Sequence, residues 1–125
     1  MSTAVYQAQY RKDRILTGYR RVDATGTRRR IQALMAIGWT ARQIATATGL
    51  NNQIITLISS GQTGDRVYRS TALRIALFYE PVSMRVQVAH TAAWMRAYAR
   101  RRGYAPPVAW DNIDDVTEQP KGVAA

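Results

Sequence analysis

Apolar residues recur along this chain at helical rather than strand spacing, and the recurrence is broken at a few well-marked points. Ile31, Leu34, Met35 and Ile37 fit one face of a helix, with Thr25 or Thr27 placed to cap it and Gly38 to end it. Thr40 precedes a second helix, and Gln43 stands three residues on, the spacing of a reciprocal capping box; Ile44 and Ala45 are expected to face inward. Gly49 is the turn, at a position that calls for positive φ, and Leu50 anchors it. Asn51 caps a third helix that runs to about Ser60 and stops at Gly61. QTGDRVYR reads as a loop, and Ser70 or Thr71 opens a fourth helix to about Glu80, with Ala72, Leu73, Ile75, Ala76 and Tyr79 inward and Pro81 as its stop. A fifth helix starts near Val88 or Thr91 and reaches Arg102, before Gly103, Pro106 and Pro107. The expected fold is therefore all-α with about five helices.

Residues 1–24 lack sustained periodicity and read as a basic arm, 25–103 as the helical domain, and 104–125 as a Pro-containing acidic tail. The segment 40–61, TARQIATATGLNNQIITLISSG, is the centre of interest. Two short helices meet at a glycine turn, with small Ala45 at the crossing and Ile44, Leu50, Ile55 and Ile58 in the apolar slots. This is the spacing of a helix-turn-helix, in which the first helix braces the second and the second lies in the major groove. At about 100° per residue, Ile54, Ile55 and Ile58 of the third helix point one way with Leu57 on the flank, while Asn52, Gln53, Thr56 and Ser60 point the other way. Asn and Gln can pair bidentately with adenine and Thr can meet a thymine methyl, so Asn52, Gln53 and Thr56 are the base-contact candidates.

Charge strengthens this direction. The 125-residue chain carries +10, and of its basic residues only Lys12 and Lys121 are lysine. Such a balance favours polyanions, and the guanidinium fork suits phosphate. The helix proposed to read bases has no charge, so attraction must come from around it. Arg42 and the helix start at Thr40 are placed for phosphate contact, as are Arg66 and Arg69 before the fourth helix. Arg28 and Arg29, in a run with Arg30, open a helix against its macrodipole, which suggests a further use on DNA backbone or on the acidic tail. Arg11, Arg14, Arg20 and Arg21 of the arm are candidates for a minor groove. Trp94 and Tyr98, with Ala93 and Ala97 beside them, form a stripe on the fifth helix that reads as core. The Pro106-Pro107 turn can fold Val108, Trp110 and Ile113 back onto the domain and bring Asp111, Asp114 and Asp115 to an arginine cluster, so that the tail competes with DNA.

Other chemistry finds little footing. Cysteine is absent and His90 is the single histidine, which leaves no disulfide, thiolate-zinc or multi-histidine site. No carboxylates pair on one helical face, His90 has no nucleophile beside it in sequence, and there is no GxxxxGK[ST] loop, so neither an enzyme nor a cofactor or metal is expected. No apolar run reaches membrane length and the N-terminus lacks a signal core, which points to a soluble, cytoplasmic protein with no membrane partner.

Residues 27–80 resemble the lambda-repressor-like, or Cro/repressor-type, helix-turn-helix domain. The wider pattern VDATGTRRRIQALMAIGWTARQIA, followed by TALRIALFYE and GYAPPVAWDNIDD, is similar to helix-turn-helix proteins of actinobacteria and their phages, over about residues 22–115. Some of those relatives have a longer N-terminal region with another such segment, where this chain has its Arg- and Tyr-rich arm. The resemblance implies sequence-specific binding of double-stranded DNA and transcriptional control, with repression by operator occupancy ahead of activation. It also implies base reading from Gln53 and, in place of Gln, Asn52, and it leaves a homodimer formed near the fifth helix as an open option. The alternative of a different class is a phage protein-interaction module that uses the same fold to bind a host protein. RNA fits less well, because the A-form major groove is narrow.

Overall fold

The computed structural model describes residues 19–122. In chain order it contains β1 (Arg21–Asp23), α1 (Thr25–Ala36), α2 (Ala41–Thr48), α3 (Asn52–Ser59), β2 (Arg66–Tyr68), α4 (Arg69–Val82), α5 (Ala92–Arg101) and a 3-10 turn at Pro107–Ala109. The chain is thus mostly helical, with five helices as expected among the described residues, but it is not all-α. Arg21–Asp23, assigned to the arm, and Arg66–Tyr68, assigned to a loop, pair as a two-stranded antiparallel ribbon with Val22 opposite Val67. Val67 is buried and Val22 half-buried, so the ribbon turns its valines to the core and Arg21, Asp23, Arg66 and Tyr68 to solvent.

The ribbon also decides how α1 begins. Its first turn is held by Asp23, whose Oδ1 accepts from the Thr25 N–H at 2.8 Å, whereas Thr25 and Thr27 lie inside the helix. The capping role expected of a threonine falls to the residue that ends the strand. α1 then packs against α3, α4 and α5 at once, and α2 packs against α3 and α4. Ile31, Leu34, Ile44, Ile55, Ile58 and Ile75 are the largest fully buried side chains and belong to one cluster. Removing each from water contributes about 1.5–3 kcal/mol, so the bracing of α3 rests on isoleucines from four helices.

Other helix ends differ modestly from expectation. α4 starts at Arg69 rather than Ser70 or Thr71 and carries Pro81 within its last turn, ending at Val82. A proline there removes one hydrogen bond near an end that frays in any case. α5 starts at Ala92, past both Val88 and Thr91. Its buried stripe is Ala92, Met95 and Ala99, while Ala93 and Trp94 face solvent and Tyr98 is half-buried. Trp94 instead stacks on Tyr98 at 5.7 Å on the outer surface. Leu73 on α4 is likewise exposed, whereas Ile75 and Tyr79 are buried as expected. No helix among the described residues is long and apolar enough to cross a membrane.

The acidic segment lies against α1. Ala105, Pro107 and Ala109 are buried and Trp110 and Ile113 half-buried, but Val108 stays exposed. The Glu118 carboxylate accepts from the Asp111 and Asn112 N–H groups, Lys121 pairs with Asp111, and the Lys121 N–H bonds Ala109 O.

Candidate nucleic-acid interface

The α2–α3 unit is built by local chemistry at three points. At the first, Thr40 Oγ1 accepts from the Gln43 N–H at 3.1 Å and the Thr40 N–H donates to Gln43 Oε1 at 2.9 Å, a complete capping box. At the second, Gly49 sits at φ 75° and its N–H closes on Ala45 O. The carbonyl of Thr48, left open by the end of α2, accepts from Arg74 Nη1 on α4. A Cβ on Gly49 would come within 2.9 Å of that guanidinium nitrogen and push it aside, but what the turn needs glycine for is its φ. At the third, Asn51 Oδ1 accepts from the Gln53 N–H at 2.7 Å and starts α3.

α3 is anchored from below and behind. Ile55, Ile58 and Ser59 are buried, and Leu57 is half-buried. Its C-terminal carbonyls are collected by three side chains from other elements: Arg28 Nε donates to Ile58 O at 3.2 Å, and Gln32 Nε2 and Tyr104 Oη both donate to Ser59 O. The opposite face carries Asn52, Gln53 and Thr56, all exposed. Thr56 Oγ1 donates back to Asn52 O at 3.2 Å, which leaves its methyl as the group free for contact. Ile54 is 38% exposed rather than turned inward, so the outer face is polar with one aliphatic side chain at its edge. Ile54 stands about 100° round the helix from Ile55, at the border of the buried face, and only residues 55 and 58 reach the core.

The arginines divide into two groups. Arg42, Arg66 and Arg69 are exposed, and among the described residues no ion pair or side-chain hydrogen bond engages their guanidiniums. The candidates of the Arg28-Arg29-Arg30 run are placed differently. Arg28 donates to Ile58 O and to Gly64 O, tying α3 to the turn after it. Arg29 lies over the Trp110 ring at 4.2 Å and donates to the carbonyls of Ile113, Asp115 and Glu118. Arg30 forms two 2.8 Å contacts with the Asp114 carboxylate. That guanidinium holds Asp114 below the ordinary carboxylate range, outweighing the desolvation that raises it. Like charges at the start of α1 are therefore offset by a helix end, a run of tail carbonyls and a carboxylate. Asp111 pairs with Lys121 instead, and the Asp115 carboxylate turns to Thr117.

At Thr40 the backbone N–H is occupied by Gln43, and its hydroxyl oxygen accepts from the N–H of that residue. Of the arm candidates, Arg11 and Arg14 lie outside the described residues. Arg20 is exposed and gives its carbonyl to the Arg69 N–H, and Arg21 lies on the ribbon with its guanidinium 5.3 Å from the Tyr68 ring.

The ribbon and the start of α3 border a common cleft of about 480 Å³, with Arg21, Arg66 and Tyr68 on one side and Asn51 and Ile54 on the other. Tyr68, its aromatic wall, carried no sequence signal: it stands in a three-residue strand whose partner is remote. Among the described residues no group of three His, Cys, Asp or Glu side chains is placed to hold a metal. No family model, curated protein or solved structure matches the chain.

Proposed function

We propose that this protein binds double-stranded DNA in a sequence-specific manner, with α2 and α3 acting as a helix-turn-helix and α3 in the major groove. The observation that carries the reading is the two-sidedness of α3. Ile55 and Ile58 lock it to the core, while Asn52, Gln53 and Thr56 stand exposed and Arg42, Arg66 and Arg69 around them have unengaged guanidiniums. Neutral side chains then read base edges, and the surrounding charge supplies salt-dependent attraction. Occupying an operator in the bacterial cytoplasm makes the protein a transcriptional regulator, and a repressor by default, since nothing more than obstruction is required. The lambda-repressor-like resemblance of residues 27–80 points the same way.

Selection of duplex fragments followed by binding across a salt series tests this. Gln53→Ala is expected to cost about 1–3 kcal/mol on the selected site and to relax preference there, and Arg42→Ala to weaken all duplexes alike. Selection that enriches no sequence, or a Gln53→Ala protein with unchanged preference, refutes it. A second reading, binding of a protein (another copy of this chain or a host protein), rests on a separate observation. Leu73 and Leu77 lie one turn apart on the outer face of α4, and Leu77 is 76% exposed.

A further inference from the structure

The cleft between the ribbon and the start of α3 has the composition of a seat for a sugar–phosphate strand. Its rim is cationic. Arg21 and Arg66 stand diagonally across the ribbon, because Arg21 faces Tyr68 and Arg66 faces Asp23. Diagonal neighbours on one face of an antiparallel pair are about 7–8 Å apart, so two long guanidinium side chains can address successive phosphates of one strand. The floor and walls, by contrast, are largely apolar: Leu50, Ile54 and Val67, with the Tyr68 ring 43% exposed between the arginines. Thr63 adds a hydroxyl oxygen that has no hydrogen-bond partner among the described residues.

One acid shares that ribbon face: Asp23, directly opposite Arg66. Hydrogen bonding from Thr25, its side chain first and its backbone N–H second, with the nearby Arg66 and Arg28, holds the Asp23 carboxylate ionised below its ordinary range, so the ribbon face sets two positive charges against one negative. Arg21, meanwhile, is supported on the Tyr68 ring, which limits the side-chain freedom lost on gripping a phosphate.

We infer that this cleft takes the DNA strand bordering the groove that α3 reads, with Arg21 and Arg66 on its phosphates and Tyr68 and Ile54 against its deoxyribose. The inference rests on the duplex-DNA reading above and extends it to a ribbon that the helix-turn-helix resemblance does not supply. Charge selects the occupant: two guanidiniums against one carboxylate, beside an apolar trough, suit a chain that alternates anionic groups with apolar sugars. The trough is also continuous with Asn51, next to the base-reading side chains. A strand placed there fixes how far α3 enters the groove, so the ribbon acts as a depth stop as well as a clamp.

The test uses the full chain and a selected duplex, with binding measured across a salt series. Arg21→Ala, Arg66→Ala and Tyr68→Ala are compared with Arg101→Ala, which removes the same charge from the exposed end of α5. Each ribbon arginine variant is expected to flatten the slope of log affinity against log salt by about 0.9 and to weaken binding about three- to tenfold at moderate salt. Tyr68→Ala is expected to weaken binding with little change of slope, and Arg101→Ala to leave both nearly as they were. Ethylation of single phosphates should interfere at adjacent positions for the wild type and lose one of them in Arg21→Ala. If Arg101→Ala flattens the slope as much as Arg21→Ala, net charge alone is at work and the cleft assignment is overturned. If Gln53→Ala relaxes specificity while all three ribbon variants bind as the wild type does, the assignment falls and the duplex reading stands. If the wild type binds no duplex, and the ribbon variants instead abolish capture of a protein, both fall.

Discussion

Replacing Arg29 by alanine should release the acidic segment from α1 while leaving the five-helix core folded. The guanidinium makes three hydrogen bonds to backbone carbonyls, at 3.2 Å to Ile113, 2.7 Å to Asp115 and 3.1 Å to Glu118, and covers the Trp110 ring at 4.2 Å. Hydrogen bonds to a charged group contribute about 1.5–3 kcal/mol each when buried. These carbonyls lie at or near the surface and regain water on release, so about 0.5–1 kcal/mol apiece is the better figure. The contact with Trp110 adds about 0.5–1 kcal/mol. The total expected loss is about 2–4 kcal/mol, with Arg29→Lys losing roughly half, because an ammonium keeps the charge but not the planar fork. Urea unfolding reads the loss. Its slope should also fall, since a segment already detached in the native state exposes less new surface. Hydrogen exchange should show the Lys121 amide, bonded to Ala109 O, exchanging faster in the variant. A loss below about 0.5 kcal/mol, or tail amides as protected as before, refutes the assignment of Arg29 as the residue that holds the segment.

Two further outcomes are expected. Gly26→Ala should dislodge the same segment from the other side: a Cβ at this buried glycine would fall on the Asp114 carboxylate and within 2.9 Å of Arg30 Nη1. A loss of under about 1 kcal/mol, the worth of the displaced ion pair, together with faster exchange at the Lys121 amide is expected, and unchanged exchange counts against the packing. Acid should weaken the tail contact. The pKa of Asp114 is depressed chiefly by its hydrogen bond to Arg30, so its stabilisation is complete above the ordinary carboxylate range and disappears as pH falls through the depressed value. With a side chain 62% exposed, the pair contributes under about 1 kcal/mol. The difference between wild type and Asp114→Asn should therefore be small at about pH 7 and shrink as pH falls below the ordinary carboxylate range, measured by urea midpoints; a difference that does not change with pH removes the ion pair from the account.

What was legible in the sequence was what is decided within a few residues. Thr40 with Gln43, Gly49 and Asn51 each act on backbone groups no more than four positions away, and all three do what their spacing predicts. The inner faces of α1 and α2 were legible for a similar reason: large aliphatic side chains alternate there with polar ones. On α5 that contrast is absent. Its buried stripe is two alanines and a methionine, and the larger Trp94 draws attention to the wrong side. The ribbon was illegible because three residues give a single alternation and the partner strand lies far along the chain. The arginines were the hardest part of the site. Arg28, Arg29 and Arg42 are alike in sequence, and only the tail's path over α1 and the end of α3 shows that the first two are occupied while the third is not.

The ribbon has a kinetic consequence. Val22 and Val67 stand roughly 45 residues apart, so their pairing closes a long loop, and the entropy of that closure must be met before the strand contacts contribute anything. The caps and turn of α2–α3, in contrast, involve contacts of short sequence separation and can form on a much faster timescale. Folding should therefore place the helix pair early and the ribbon late. Partial opening of the native protein should run in the reverse order, with the Arg69 amide, which bonds Arg20 O across the base of the ribbon, exchanging before those of α1.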